Sequence, residues 1–403
     1  MDPAIIPRNN YLESLIRLKD LQIIKVVTGI RRSGKSTLFE TYRDYLFSLG
    51  IETNQIIFLN LELLEFSSLC TCHALYEHII GRLVPDKMNY VFIDEVQMCA
   101  EFQRAINSLF VMKNVDVYVT GSNSYFFSGK LSTLLSGRYI TIEMLPLSFS
   151  EYFAYSKESD DQKSFREYMQ FGGFPFTLQC KKDDLVIRQY LEGVYNTIIR
   201  KDIIEMNKVH DLMVLDSVVK FIFDNVGNIT TPKKISDTLT SNGRKISQPT
   251  VEKFLQFLCN SFIVYQANRY DVKGKQYLKS LSKYYLADMG FRNFLLGSRN
   301  PDTGHVIENI VYLELRRRGY QIYIGKVDNM EIDFVAVDQR KTIYIQVAET
   351  VRDPIVLERK LAPLRAAKDY HRRILLTNDY DLNPTYNGIE SLNVVDFLLG
   401  NHV

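Results

Sequence analysis

Two glycines separated by four residues and followed by Lys-Ser carry the chemistry most visible in the chain. Gly29-Ile30-Arg31-Arg32-Ser33-Gly34-Lys35-Ser36 matches the pattern G-x-x-x-x-G-K-[ST] in full. Gly29 and Gly34 let the backbone turn back on itself, so that several N–H groups converge on one anion. A helix that starts near Lys35 adds the positive end of its dipole. Lys35 is expected on the outer phosphates of a nucleotide and Ser36 on Mg2+, with Gly29, Arg32, Ser33, Gly34 and Thr37 completing the cradle.

A second group of residues supplies what phosphate transfer needs besides a cradle. The apolar run Asn89-Tyr-Val-Phe-Ile ends in Asp94-Glu95. Asp94 is expected in the Mg2+ shell, acting through water, and Glu95 as the general base that polarises the attacking water. A later run, Val115 to Thr120, ends in Gly121-Ser122-Asn123-Ser124. Asn123 is the first candidate, and Ser122 the second, to sense the γ-phosphate or orient water; a Ser/Asn turn explains the same residues without chemistry. Arg138, in Ser136-Gly137-Arg138-Tyr139, has two readings. It completes a neighbouring subunit's site, since an arginine supplied in trans stabilises charge on the transferring phosphoryl group, or it is a solvated arginine before a strand.

Positioning these groups takes a parallel sheet. Ile23 to Val27, Gln55 to Asn60, Asn89 to Asp94 and Val115 to Thr120 read as strands, and continuous apolar runs of this kind belong to strands buried on both faces. Helices are expected from Asn9 or Asn10, from Lys35 to a stop at Gly50, over 72–83, over 102–113 and, briefly, over 131–135. Ligands in open α/β sheets gather at the carboxyl ends of the strands, where both motifs fall.

The order GIRRSGKST, YVFIDE, VYVTGSNS, LSGRY and LPLSFSEY resembles the prokaryotic AAA-superfamily ATPases. More narrowly, it resembles the archaeal and bacterial ATPase family that pairs this module with a nuclease-like C-terminal domain. The resemblance implies ATP at Gly34, Lys35 and Ser36, with Asp94 and Glu95 matching the hydrolysis motif. It supplies no substrate.

Beyond this core, expected over 1–147, the pattern turns helical. Residues 148–205 start with Ser148 as an N-cap, break at Gly172-Gly173-Phe174-Pro175 and continue in a helix from Asp184 to Arg200; they resemble the lid of AAA ATPases. Residues 206–295 read as three helices and a β-hairpin, the order of a winged helix. DNA contact is expected through Lys233, Lys234, Arg244, Lys245 and the hairpin lysines Lys273, Lys275 and Lys279. Winged helices also serve as protein-contact modules.

Residues 296–403 read as helix, three strands, helix, strand and resemble the restriction-endonuclease-like fold. That family holds Mg2+ with an acid on the first helix, an Asp on a strand and an acid-x-Lys on the next. Glu308 and Asp333 match the first two positions, whereas the third is Gln346-Val347-Ala348. Gln346 adds no charge to hold a metal and Ala348 cannot activate water; Lys360 on the following helix is a weak substitute, since it would have to reach back. The expected domain keeps the fold with little or no cleavage activity and binds DNA or a partner protein.

Bulk properties bound the rest. The chain of 403 residues suggests two or three domains, and a formal charge of +2 leaves any nucleic-acid surface to local patches. Five irregularly spaced cysteines fit a reducing, cytoplasmic setting. Cys70, Cys72 and His73 lack a second ligand pair at zinc-site spacing. There is no secretory pattern, and no apolar run reaches the roughly 18 residues of a membrane span. The expected protein is an α/β, homo-oligomeric, ATP-hydrolysing AAA-type ATPase with a P-loop sheet, helical lid, winged helix and nuclease-like domain. It remodels or regulates a bound partner, DNA being favoured. The alternatives are ATP-dependent DNA cleavage and a nucleotide switch that serves as a protein-interaction platform.

Overall fold

The computed structural model describes residues 5–124, 135, 137–180, 183–274, 276–297, 302–339, 341–381 and 383–401, with the backbone alone at 277–280. The chain divides into two units, Met1–Pro146 with Asn260–Phe262, and Leu147–Cys259 with Ile263–Val403. The helix expected at 131–135 lies almost wholly outside the described residues, as do Ser136 and Lys275 and the side chain of Lys279.

The first unit is built on five strands, β1 (Ile24–Thr28), β2 (Ile56–Asn60), β3 (Asn89–Asp94), β4 (Val115–Gly121) and β5 (Tyr139–Glu143), in the order β2-β3-β4-β1-β5. Every pairing is parallel. β1, β3 and β4 are buried along their whole length, which is why their sequences are apolar without alternation. Helices α1 (Asn9–Leu18) and α2 (Lys35–Ser48) cover one face of the sheet, and α3 (Cys72–Ile80) and α4 (Phe102–Phe110) the other. On the first face Phe39, Tyr42, Phe92 and Tyr118 pack ring against ring, Phe92 stacking on Tyr118 at 4.7 Å. Because β4 lies between β3 and β1, its carboxyl end is wedged between the phosphate loop and Asp94-Glu95.

The second unit opens with α5 (Phe149–Tyr155), α6 (Asp161–Phe171) and α7 (Asp184–Thr197), which continues into a π-helical stretch, Ile198–Glu205. Ser148 caps α5 in a capping box with Glu151. Gly172 ends α6 at φ 79°, and Pro175 opens a 3-10 turn, so the expected break holds. Arg200 pairs with Glu205 at 3.1 Å in an exposed position. Next come α8 (Leu212–Asp224), α9 (Pro232–Ser241) and α10 (Gln248–Asn260), then the antiparallel hairpin β6 (Val264–Asp271) and β7 (Gln276–Leu286). After α11 (Met289–Leu296) and α12 (Thr303–Arg317) follow β8 (Gln321–Val327), β9 (Met330–Val337), β10 (Thr342–Ala348), α13 (Pro354–Ala366), β11 (Arg372–Thr377), β12 (Thr385–Tyr386), β13 (Ile389–Asn393) and α14 (Val394–Leu399).

The hairpin corrects the expected separation of 206–295 from 296–403. β6 pairs in parallel with β8, Arg269 opposite Ile324, and the result is one eight-stranded sheet, β12-β13-β11-β10-β9-β8-β6-β7. The hairpin is therefore the edge of the C-terminal sheet and not a free wing. Lys273, expected as a wing lysine, is engaged by both carboxylate oxygens of Asp328 at 2.7 and 2.6 Å.

Candidate functional site

The phosphate loop leaves β1 through Gly29 at φ 139°, passes Arg32 at φ 65° and turns into α2 through Gly34 at φ 100°. Left-handed residues alternating with right-handed ones turn successive N–H groups toward one point, the arrangement called a nest. Gly34 is the N-cap of α2 and provides no side-chain capping bond. The hydroxyl of Ser33 is buried without a hydrogen-bond partner. A Cβ on Gly29 would lie 2.1 Å from the carbonyl oxygen of Met144. A glycine-lined concavity with convergent N–H groups and a spare hydroxyl fits a phosphate chain. Lys35 Nζ donates to the carbonyls of Gly29 and Ile30 at 3.0 and 3.1 Å, so it lies along the loop it serves.

Asp94 and Glu95 stand beside this loop. Ser36 hydrogen-bonds Asp94, and Thr120 donates to the same carboxylate. Asn60 Nδ2 reaches Asp94 Oδ2 at 3.2 Å. Burial pushes the Asp94 carboxyl up from its ordinary value, against the hydrogen bonds of Ser36 and Thr120 and the charge of Lys35. Glu95 sits at φ 51°, and its N–H donates to Thr120 Oγ1 at 2.8 Å. Ser122 Oγ donates to Glu95 Oε2 at 3.1 Å, and Gln97 donates to the same oxygen. Burial disfavours the Glu95 charge, but Lys35, Arg31 and these hydrogen bonds outweigh it and hold the carboxyl below its ordinary value. The geometry thus separates two adjacent acids. Lys35, Arg31 and hydrogen bonds hold Glu95 below its ordinary value, while burial holds Asp94 above its own.

Of the two candidates after β4, Ser122 touches Glu95, and Asn123 is buried behind it in sequence. Arg138 is not brought to this site. It precedes β5 beside Ile24, whereas the phosphate loop follows Thr28, roughly 13 Å farther along the strand. Its guanidinium bonds Asn107 Oδ1 and lies 5.6 Å over the ring of Phe110.

Several residues of the site escaped the sequence motifs. Thr120, Gln97 and Asn60 contact the acidic pair, and Arg31, a variable position inside the phosphate-loop pattern with no role read for it, helps hold Glu95 below its ordinary value. Arg8, buried, donates to the carbonyls of Ser33 at 2.9 Å and Leu145 at 2.7 Å and ties the loop to the segment after β5. The only local hints were a polar Thr120 closing an apolar run and an arginine just ahead of the first helix.

In the second unit, Glu308, Glu331 and Asp333 converge on a cleft of about 560 Å3. Lys283 of β7 is buried among them, with Nζ 2.9 Å from Glu308 Oε1, 2.7 Å from Glu331 Oε1 and 4.0 Å from Asp333 Oδ1. Tyr285 OH donates to Glu308 Oε1 at 2.7 Å. Lys360 does reach back, 2.9 Å from Asp333 Oδ2, which also accepts the Val347 N–H at 2.8 Å. Gln346 turns its amide to the Glu331 carbonyl at 2.7 Å. Burial opposes the Lys283 charge, but Glu308, Asp333 and Glu331 outweigh it and raise its pKa. Among the described residues no group of three or more His, Cys, Asp or Glu is arranged to hold a metal ion. None of the described helices is long and apolar enough to cross a membrane.

Comparison with known proteins agrees with this geometry. Residues 22–153 match the family model of an AAA domain, and residues 162–302 that of a domain of unknown function (DUF8612). The Walker-type ATPase of Pyrococcus abyssi superposes with a TM-score of 0.51 at 15% identity, covering 72% of this chain and 96% of that one, a likeness of fold. Fold and site define an AAA-family ATPase domain on a P-loop parallel sheet. An uncharacterized protein of Haemophilus influenzae is 40% identical over 406 residues, 99% of this chain and 100% of its own. An uncharacterized protein of Methanocaldococcus jannaschii is 27% identical over 80% of this chain and 74% of its own. The chain belongs to the same family as the Haemophilus protein.

Proposed function

We propose that the chain binds ATP with Mg2+ at the phosphate loop, hydrolyses it as a homo-oligomer, and uses the cycle to remodel or regulate bound DNA. The observation that carries the reading is the placement of Glu95, held ionised by Lys35, Arg31, Gln97 and Ser122, one residue from an Asp94 bonded to Ser36. ATP and Mg2+ supply the transferable phosphoryl group and the charge that neutralises it. The backbone N–H groups of Gly29 to Thr37, with Arg32 and Ser33 in the turn, bind the phosphates. Lys35 holds the outer phosphates, and Ser36 and Asp94 hold the metal. Glu95 takes the proton of the attacking water at its carboxylate, while Ser122 and Asn123 orient that water.

Arg138 lies at the opposite end of β5 from its own chain's phosphate loop, so any part it plays in hydrolysis would be at a neighbouring copy's site. A closed oligomer would make that arginine part of each site. Residues 148–205 take the part of a lid. For DNA, the support is the exposed Lys233 and Lys234 on α9 and Lys245 after it.

Steady-state hydrolysis of wild type against Glu95→Gln tests the reading. The expected result is a fall of about 100-fold or more with nucleotide binding retained; unchanged turnover in the variant would overturn it. Mixing Arg138→Ala with Lys35→Ala subunits should restore hydrolysis, and absence of rescue excludes Arg138 as a shared residue. Titration of a labelled duplex in low salt, with ATP and without, decides the partner: a chain that binds none in either state does not act on DNA.

A further inference from the structure

The C-terminal resemblance implies Mg2+ among Glu308, Asp333 and a third ligand, and the residues present do not fit it. Three carboxylates do converge, Glu308, Glu331 and Asp333, while Gln346 adds no charge and gives its amide to the Glu331 backbone carbonyl. The two acids of Glu331-Ile332-Asp333 lie two residues apart on β9 and so share a face of the strand. Yet the space between them is taken. Lys283 Nζ bonds one oxygen of Glu308 and one of Glu331 and stands 4.0 Å from Asp333, while Lys360 and the Val347 N–H occupy the other oxygen of Asp333. Tyr285 takes the Glu308 oxygen that faces Lys283.

We propose that Lys283 is a built-in counter-ion that has replaced the divalent metal, closing the carboxylate cluster of this cleft into a cation-locked, non-hydrolytic centre. Lys283, Glu308 and Asp333 are each buried to within a few per cent of exposure, so each needs a partner of opposite charge. Mg2+ holds its oxygens at about 2.0–2.1 Å and carries two charges. An ammonium seated at hydrogen-bond distance among the same carboxylates excludes it. The lock also has a mechanical consequence. Lys283 belongs to β7, Glu308 to α12, Glu331 and Asp333 to β9, and Lys360 to α13, so the cluster ties the hairpin and two helices to the C-terminal sheet. The inference concerns the second unit alone and stands whether or not the first hydrolyses ATP.

Manganese binding to the chelator-treated full chain, followed by electron paramagnetic resonance without nucleotide, provides the test. Wild type and Asp333→Asn should bind the same amount of Mn2+. Lys283→Gln should gain one Mn2+ per chain, lost again when Asp333→Asn is added, and its melting temperature should fall by on the order of 10 °C in metal-free buffer. Lys283→Arg, which keeps the cation and the fold, should bind no more than wild type. Mn2+ in wild type that Asp333→Asn or Glu331→Gln removes would overturn the proposal. So would Mg2+- or Mn2+-dependent cleavage of DNA by wild type that Asp333→Asn abolishes, or a folded Lys283→Gln that gains no Mn2+. Should Lys283→Gln fail to fold, the wild-type arms still decide.

Discussion

The hydroxyl of Thr120 donates to the Asp94 carboxylate and accepts the N–H of Glu95 at 2.8 Å, so one side chain from β4 fixes both acids at the end of β3. It does so because β4 lies between β3 and β1. Thr120→Val keeps the shape and removes the hydroxyl. It leaves the Glu95 N–H unpaired in a buried place, at about 1–3 kcal/mol. Hydrolysis should fall about tenfold or more, with nucleotide affinity within a factor of a few, and Thr120→Ser should retain most of the rate. Single-turnover hydrolysis and binding of a fluorescent nucleotide separate the two effects. A Val form that keeps the wild-type rate would mean that the hydroxyl is not what matters.

Gly29 and Gly34 look equivalent as motif positions and are not equivalent in space. A Cβ on Gly29 meets the Met144 carbonyl oxygen at 2.1 Å, and Met144 is fixed by its N–H to the Thr28 carbonyl at 2.7 Å. A Cβ on Gly34 meets only the flexible end of the Met144 side chain, at 3.4 Å. Gly34→Ala should therefore cost about 1–2 kcal/mol from its left-handed backbone, and Gly29→Ala clearly more. Thermal melts in the absence of nucleotide measure the difference; equal midpoints would show that the loop shifts freely against Met144.

Lys25 carries a second test, far from the phosphate loop. It is fully buried in β1 and paired with Asp116, whose other oxygen accepts the Asp20 N–H at 2.9 Å and the Tyr118 hydroxyl at 2.7 Å. Burial lowers the Lys25 pKa and raises that of Asp116 despite their attraction. Lys25→Met should destabilise by about 3–5 kcal/mol, because it strands the carboxylate. Lys25→Met with Asp116→Asn should recover part of that loss. Urea midpoints of the two singles and the double give the coupling, and additive losses would mean that the pair is not coupled.

What could be read in the chain was what is local. Gly29 to Thr37 fall in one window, and the strand before them and the helix after them are visible as a run and a period. The acids Asp94 and Glu95 end a run of their own. Thr120 and Ser122 matter only because of which strand lies beside which, and no window holds that; Gln97 is two residues from Glu95, but its contact depends on the turn after β3. The same limit explains the hairpin. Three helices and two strands form a familiar local order, but the parallel pairing of Arg269 with Ile324 joins segments 55 residues apart and makes the hairpin part of another sheet. Lys283 opens an apolar run, Lys-Tyr-Tyr-Leu, and reads there as a strand end. Only the sheet brings it among Glu308, Glu331 and Asp333.

Asp288, in the second unit, gives a pH signature of its own. Its carboxylate is buried, with Oδ2 accepting the Gly173 N–H at 2.6 Å and Oδ1 the Gly290 N–H at 2.8 Å. Burial pushes its pKa up to about 7, against those two bonds. The folded value thus exceeds the unfolded one of 3.8. A raised pKa means that the folded state holds the proton more tightly, so the stability it contributes is complete below about pH 4 and is lost as pH rises toward 7. The full swing is on the order of 4 kcal/mol. Asp288→Asn removes the titration but turns an amide N–H2 toward one of the two backbone donors. The variant should therefore be less stable than wild type at pH 5, with the gap narrowing or closing by pH 8. Urea midpoints at the two pH values decide it, and a gap that stays constant would place the Asp288 pKa outside this range.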